Sequence, residues 1–79
     1  MRTFQFDVYD DAVMPITTEF AEFEEKAQAR AFAAKLVKKN GGPVDLAIAG
    51  DGDFSDRYIT TASPSEYHTS GVRFERLYL

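Results

Sequence analysis

The most reactive side chains of the sequence lie in one polar stretch near the C-terminus. His68 is the only histidine, and Ser65, Thr69 and Ser70 lie within three residues of it. A hydroxyl next to an imidazole is the arrangement that activates an oxygen nucleophile. However, no Gly-x-Ser-x-Gly elbow surrounds these serines, and no local pattern supplies an acid to orient the imidazole. An enzyme that uses His68 and loop carboxylates is therefore only the third of three functional hypotheses.

A short acidic loop between two predicted strands has part of a calcium-binding pattern. Asp51, Asp53 and Ser55 occupy positions one, three and five of a twelve-residue ligand loop. The EF-hand pattern also needs glycine at the sixth position and glutamate at the twelfth, where this sequence has Asp56 and Ala62. We therefore interpret residues 50–56 as a turn with solvated carboxylates, and we leave weak cation binding by this loop open.

Other common cofactor and metal sites have no basis in the sequence. The chain contains no cysteine, so it has neither a disulfide framework nor thiolate ligands for zinc. The glycines at positions 41 and 42 follow a predicted helix, whose C-terminal end carries the wrong polarity for a phosphate. No P-loop or dinucleotide fingerprint occurs. The sequence therefore predicts no catalytic residue, no cofactor and no metal.

Charge is strongly segregated along the chain, although the net charge is only −4. Residues 1–25 contain seven acids and one base, whereas residues 26–39 contain five bases and no acid. A basic helix over residues 26–39 could contact an anion through Lys35, Lys38 and Lys39, which gives the second hypothesis, a nucleic-acid-binding module. Basic residues near a helix C-terminus also suit the helix dipole, and we favour that simpler explanation.

Length and composition predict one folded domain over residues 1–79. The 79 residues are 44% hydrophobic and 14% aromatic, far from the composition of disordered chains. A chain of this size buries a thin core and leaves little room for a substrate pocket. No apolar run is long enough for a secretion signal or a membrane span, so we expect a complete, cytoplasmic protein without a membrane partner.

The hydrophobic periodicity predicts an α+β fold in which one helix packs on a mainly antiparallel sheet of about five strands. Strict alternation predicts strands at residues 3–9 and 14–22, joined as a hairpin. From Glu24 the period changes to that of an amphipathic helix, which Asn40, Gly41, Gly42 and Pro43 end. Three more strands are predicted at residues 44–49, 56–62 and 72–78. The element order is β-β-α-β-β-β, a two-layer sandwich.

The same alternation divides the strand residues between two sheet faces. The face predicted to pack on the helix carries Phe4, Phe6, Val8, Ile16, Phe20, Val44, Leu46, Ile48 and Phe74. Because one helix covers only one face, the opposite face is expected to stay uncovered, and it includes several large apolar groups. These groups are Tyr9, Phe23, Leu77, Leu79 and one of Tyr58 and Ile59.

The uncovered face leads to the first functional hypothesis. A patch formed by Tyr9, Phe23, Tyr58, Leu77 and Leu79 would be an interface for a protein partner. The last strand could also pair with its symmetry mate at the sheet edge. The sequence therefore favours a small non-catalytic protein-interaction module, which self-associates as a homodimer or binds another protein.

Overall fold

The computed structural model describes residues 1–9 and 16–77 of the chain. It confirms the α+β class and the element order β-β-α-β-β-β, and it adds a single helical turn that the sequence did not predict. The elements are β1 (Arg2–Val8), β2 (Thr17–Phe23), α1 (Lys26–Asn40), β3 (Val44–Ile48), α2 (Phe54–Arg57), β4 (Tyr58–Pro64) and β5 (Val72–Glu75). Residues 10–15, which include the connection of the predicted first hairpin, and residues Tyr78 and Leu79 lie outside the described residues.

The five strands form one antiparallel sheet in the order β2-β1-β3-β4-β5. The order places the first hairpin at one side and the last three strands, as a meander, at the other. Strand β1 therefore lies next to β3, so the chain returns to the middle of the sheet after α1. The two edges are β2 and β5.

Helix α1 begins at Lys26, two residues later than the periodicity predicts. Glu25 is its N-cap, and the side chain of Gln28 accepts hydrogen bonds from the backbone N–H groups of Glu24 and Glu25. Both glutamates therefore precede the helix and do not occupy its first turn. The predicted end is confirmed, because Gly41 adopts φ 79° and its N–H donates to the carbonyl of Val37 at 2.8 Å.

The core lies between α1 and one face of the sheet. Apolar residues of β1 and β3 pack under the alanine-rich stripe of the helix, which lets the helix lie close to the strands. The buried cluster consists of Phe4, Phe6, Val8, Ala29, Ala33, Leu36, Val37, Val44, Leu46, Ile59, Ala62 and Val72. Ile48 is partly buried and packs against this cluster, as predicted.

The sequence assigned the residues of strand β2 to the wrong faces of the sheet. Phe23, expected on the uncovered face, packs between Phe4, Phe6 and Phe32, with ring centroids 5.6–6.5 Å apart. Phe20, expected in the core, is 61% exposed on the opposite face. Only Glu24 and Glu25 connect β2 to α1, so the last residue of the strand must lie on the side of the helix.

Two further predicted core residues are exposed. Ile16, which precedes β2, is 53% exposed. Phe74 lies across from Ala62, so it is on the helix side of the sheet, as predicted. It is nevertheless 41% exposed, because β5 is an edge strand with no further strand beside it. The alternation of apolar residues at a sheet edge therefore does not guarantee that the helix reaches them.

Strand β4 begins at Tyr58 rather than at Asp56, because residues Phe54–Arg57 form α2. The β3–β4 register shifts where Leu46 pairs with Thr60 but Ala47 pairs with Tyr58. Ile59 is the additional residue of this irregularity, and it enters the core. Tyr58 therefore faces away from the helix. Within the described residues, no helix has the length and apolar character needed to cross a membrane.

Candidate functional site

The sheet face opposite α1, which we call the helix-free face, is polar at its centre. Asp45 lies across from Asp7 on one side and from Thr61 on the other. Its carboxylate accepts a 2.6 Å hydrogen bond from the Thr61 hydroxyl and another from the Tyr9 side chain. Asp45 is only 4% exposed, so this charged group is more deeply buried than most aspartates.

Burial raises the pKa of Asp45 above its usual value of 3.8, and the negative charge of Asp7 raises it further. The hydrogen bonds from Thr61 and Tyr9 favour the ionised form and partly offset this rise. Asp7 is half-buried and accepts hydrogen bonds from Gln5 and Thr18 at 3.1 and 3.0 Å. Two neighbouring carboxylates with different surroundings are one arrangement that acid–base enzymes use, but they are not sufficient for catalysis.

The phenol of Tyr58 connects this carboxylate network to the C-terminal end of the sheet. Its oxygen lies 2.7 Å from the Thr61 hydroxyl and 3.2 Å from the Glu75 carbonyl, and it accepts the Leu77 N–H at 2.9 Å. Because the Thr61 hydroxyl donates to Asp45, the one proton of the Tyr58 hydroxyl is shared between the Thr61 oxygen and the Glu75 carbonyl. Tyr58 therefore holds residues 75–77 against the sheet.

Side chains around the centre cover much of the helix-free face. Arg57 of α2 donates to the Gln5 side chain at 3.0 Å and to the Ile48 carbonyl at 3.1 Å. Its guanidinium lies over the Phe54 ring, and the guanidinium of Arg76 lies over Tyr58 in the same way. The expectation of an uncovered apolar face is therefore wrong for the middle of the sheet, where Tyr58, Asp45 and Thr61 are buried.

The residues that the sequence predicted as one interface lie in different parts of the molecule. Tyr9 and Tyr58 belong to the hydrogen-bonded centre, and Phe23 belongs to the core. Leu77 is exposed next to Tyr58, whereas Leu79 lies outside the described residues. Phe20, which the alternation placed in the core, is 61% exposed on this face at the opposite edge.

The edge formed by β2 has hydrogen-bonding capacity that faces outward. Tyr9 N–H donates to Pro43 and Ala49 N–H donates to Thr3, so the odd-numbered residues of β1 bond to β3. The even-numbered residues of β1 consequently bond to β2, with Ala21 and Glu19 among their partners. The residues of β2 between these partners direct their backbone N–H and C=O groups outward from the sheet edge. These residues are Thr18, Phe20 and Glu22.

The opposite edge is less suited to a further strand. Strand β5 has four residues, and Arg73 and Glu75 form an ion pair at 2.8 Å along it. Short edge strands with charged side chains resist pairing with another chain. Strand β2, with seven residues and neither proline nor a register shift in its described pairing, is the longer and more regular edge.

The remaining predicted chemical groups lie elsewhere on the surface. Ser65 Oγ lies 2.8 Å from His68 Nδ1, so the hydroxyl–imidazole pair forms, but His68 is exposed and Ser65 Oγ also accepts the Tyr67 N–H. A serine that bonds its own loop in this way stabilises the turn. The enzyme hypothesis stays a prediction that the structure does not test.

The charged groups of the helix and of the acidic loop are solvent-exposed. Lys35, Lys38 and Lys39 are exposed on α1, and the anion contact stays a prediction. Asp51 and Asp53 are exposed in the loop before α2. Over residues 1–9 and 16–77, no three side chains of His, Cys, Asp or Glu are grouped so that they could hold a metal ion.

Comparisons of the chain with protein-family models, with curated proteins and with solved structures find no match.

Proposed function

We propose that the chain is a small non-catalytic protein-interaction module that binds a partner through the edge strand β2. The observation that carries this proposal is Phe20, a large aromatic side chain that is 61% exposed at the centre of a seven-residue edge strand. On both sides of it, Thr18 and Glu22 also direct backbone groups outward. A partner strand would gain main-chain hydrogen bonds from these three residues and an apolar contact from Phe20.

The sequence favoured a second copy of the chain as the partner, with another protein as the alternative. Both partners can add a strand to β2, and the proposal covers both. The sequence predicted an edge contact for the last strand, but the longer and more regular edge is β2. This edge has better support than the helix-free face, because the centre of that face is closed by its own side chains. The absence of cysteine supports a cytoplasmic location, which is part of the same proposal.

The experiment that tests the function follows the backbone amides of the full chain by NMR. The chain is titrated to high concentration and, separately, with capped extended peptides that are basic, neutral or acidic. We expect chemical-shift changes centred on Thr18, Phe20 and Glu22 in at least one titration. Changes centred on Lys35, Lys38 and Lys39, or no changes in any titration, would contradict the proposal.

The matched variants are Thr18→Pro and Thr18→Val. Proline removes an N–H that points away from β1, so the hydrogen bonds within the sheet are kept, as at other edge positions that tolerate proline. Valine keeps that N–H, and both variants lose the hydroxyl that donates to Asp7. We therefore expect Thr18→Pro to lose the association and Thr18→Val to keep it.

A further inference from the structure

We infer that the partner strand at β2 is a basic extended segment of another protein rather than a second copy of this chain. This inference rests on the proposed function and names the chemical class of the partner. Residues 16–25 contain four glutamates, Glu19, Glu22, Glu24 and Glu25, and no lysine or arginine. The edge that offers the backbone groups is therefore also the most acidic part of the described sheet.

A second copy of β2 brings no charge complementary to this edge. In the symmetric antiparallel register, Phe20 of one copy lies across from Phe20 of the other, with Glu22 across from Thr18 and Glu19 across from Ala21. This pairing satisfies the backbone and puts no glutamate directly across from another, but it places Glu19 of each copy diagonally next to its symmetry mate on the same face, with no base in either strand. Diagonal neighbours on paired strands lie about 7–8 Å apart, close to the Debye length of about 8 Å at physiological salt, so the repulsion is only partly screened.

The basic residues of this chain near β2 do not lie beside Glu19. Five bases lie at residues 26–39 in a helix, which adds no strand to a sheet. Lys26 at its start and Arg2, which is across from Phe23, lie at the other end of β2 from Glu19, which is across from Phe6. The complementary charge must consequently come from the partner. A partner that supplies it gains both the backbone hydrogen bonds and cross-strand pairs with the glutamates.

The register defines the pattern of side chains that fits. An antiparallel partner with an apolar residue across from Phe20 places the position two residues before it across from Glu22, on the same helix-free face. The position one residue after it lies across from Glu19, on the helix side of the edge. The matching motif is therefore a base, any residue, an apolar residue and a base, in that order.

The experiment measures the affinity of the full chain for a fluorescently labelled, capped peptide, Thr-Lys-Thr-Val-Arg-Thr. Its control has the sequence Thr-Glu-Thr-Val-Glu-Thr. We expect the basic peptide to bind at least about tenfold more tightly, because two cross-strand charge pairs change from attraction to repulsion in the control. We also expect its affinity to fall as salt is raised, whereas self-pairing of acidic strands would strengthen.

Variants of the edge separate strand addition from simple charge attraction. The double substitution Glu19→Lys with Glu22→Lys should reverse the preference between the two peptides, while Thr18→Pro should abolish binding that Thr18→Val retains. Glu19 is half-buried, so urea unfolding checks the double variant. If Glu19→Lys unfolds the chain, Glu22→Lys alone carries the test, with a loss of affinity for the basic peptide of about threefold.

The outcomes distinguish this inference from the proposed function. Equal affinity for both peptides, or self-association through β2 that strengthens with salt, overturns the basic partner but supports the β2 edge as the binding site. Binding of the basic peptide that persists in Thr18→Pro overturns strand addition and assigns the contact to charge alone. Absence of any association that depends on β2 overturns both.

Discussion

Asp7 and Asp45 lie directly across from each other on the neighbouring strands β1 and β3, on the sheet face that the helix does not cover. Each carboxylate has its own donors, Thr18 and Gln5 for Asp7 and Thr61 and Tyr9 for Asp45. The pair is asymmetric, because Asp45 is buried and Asp7 is only half-buried. The buried member therefore has the raised pKa, and its proton affects the stability of the fold.

The first prediction concerns the pH dependence of stability. Because the pKa of Asp45 is raised in the folded chain, its contribution to stability is fully present below the unfolded value of 3.8 and is lost as pH rises through the folded value. Asp45→Asn removes this titration. We expect the stability of the wild type relative to Asp45→Asn to fall as pH rises above the unfolded value of 3.8, as measured by urea unfolding. Parallel pH profiles of the two proteins would contradict the assignment.

The second prediction concerns the hydroxyl that supports Asp45. Thr61→Val removes the 2.6 Å hydrogen bond to the buried carboxylate and the contact with Tyr58, and we expect a loss of about 1–3 kcal/mol at neutral pH. The loss should be smaller in acid, where Asp45 is protonated. Thr60→Val is the matched control, because the Thr60 hydroxyl donates to the Glu75 carbonyl and not to a carboxylate. A pH-independent loss in both variants would show that Thr61 does not act through the charge of Asp45.

The third prediction tests which aromatic side chain of β2 belongs to the core. Phe23→Ala removes ring contacts with Phe4, Phe6 and Phe32 and should cost about 2–4 kcal/mol in thermal or chemical unfolding. Phe20→Ala should change stability by less than about 0.5 kcal/mol, because its side chain is largely exposed. A larger loss for Phe20→Ala than for Phe23→Ala would reverse the faces assigned to the strand.

The fourth prediction concerns the end of α1. Gly41 adopts φ 79°, and a methyl group there would meet no atom within 4 Å, so Gly41→Ala adds backbone strain without a clash. We expect a loss of about 1 kcal/mol in urea unfolding, and a smaller loss for Gly41→Asn, because asparagine tolerates the left-handed conformation better. Equal losses in the two variants would point to a cause other than backbone conformation.

Part of the candidate site follows from the sequence and part does not. The alternation in β1 correctly placed Phe4, Phe6 and Val8 on the helix side, because large apolar and polar residues alternate along this strand. In β2 the contrast is weak, since Phe20 and Phe23 have opposite parity and only one of them can reach the helix. The two-residue connection to α1 decides between them, and periodicity within the strand does not contain that constraint.

The buried carboxylate was also beyond local patterns. Asp45 is one acid in an otherwise apolar strand, and nothing near it in the sequence indicates that Asp7, Thr61 and Tyr9 surround it. A signal was present in the alternation of β3, which places Asp45 on the opposite face from Val44 and Leu46. Its significance depends on the sheet order, which brings β1 and β4 to the two sides of β3.

The sequence by itself determined the helix, its glycine stop, the alternating strands and the segregation of charge, because these depend on neighbours within a few residues along the chain. The tertiary structure decided which strand forms the long edge, which phenylalanine is left exposed there, and which acids become neighbours. These properties depend on the order of strands in the sheet and on the short connections between elements. Only the sheet order shows that the acidic segment at residues 16–25 includes an edge strand whose backbone groups face outward.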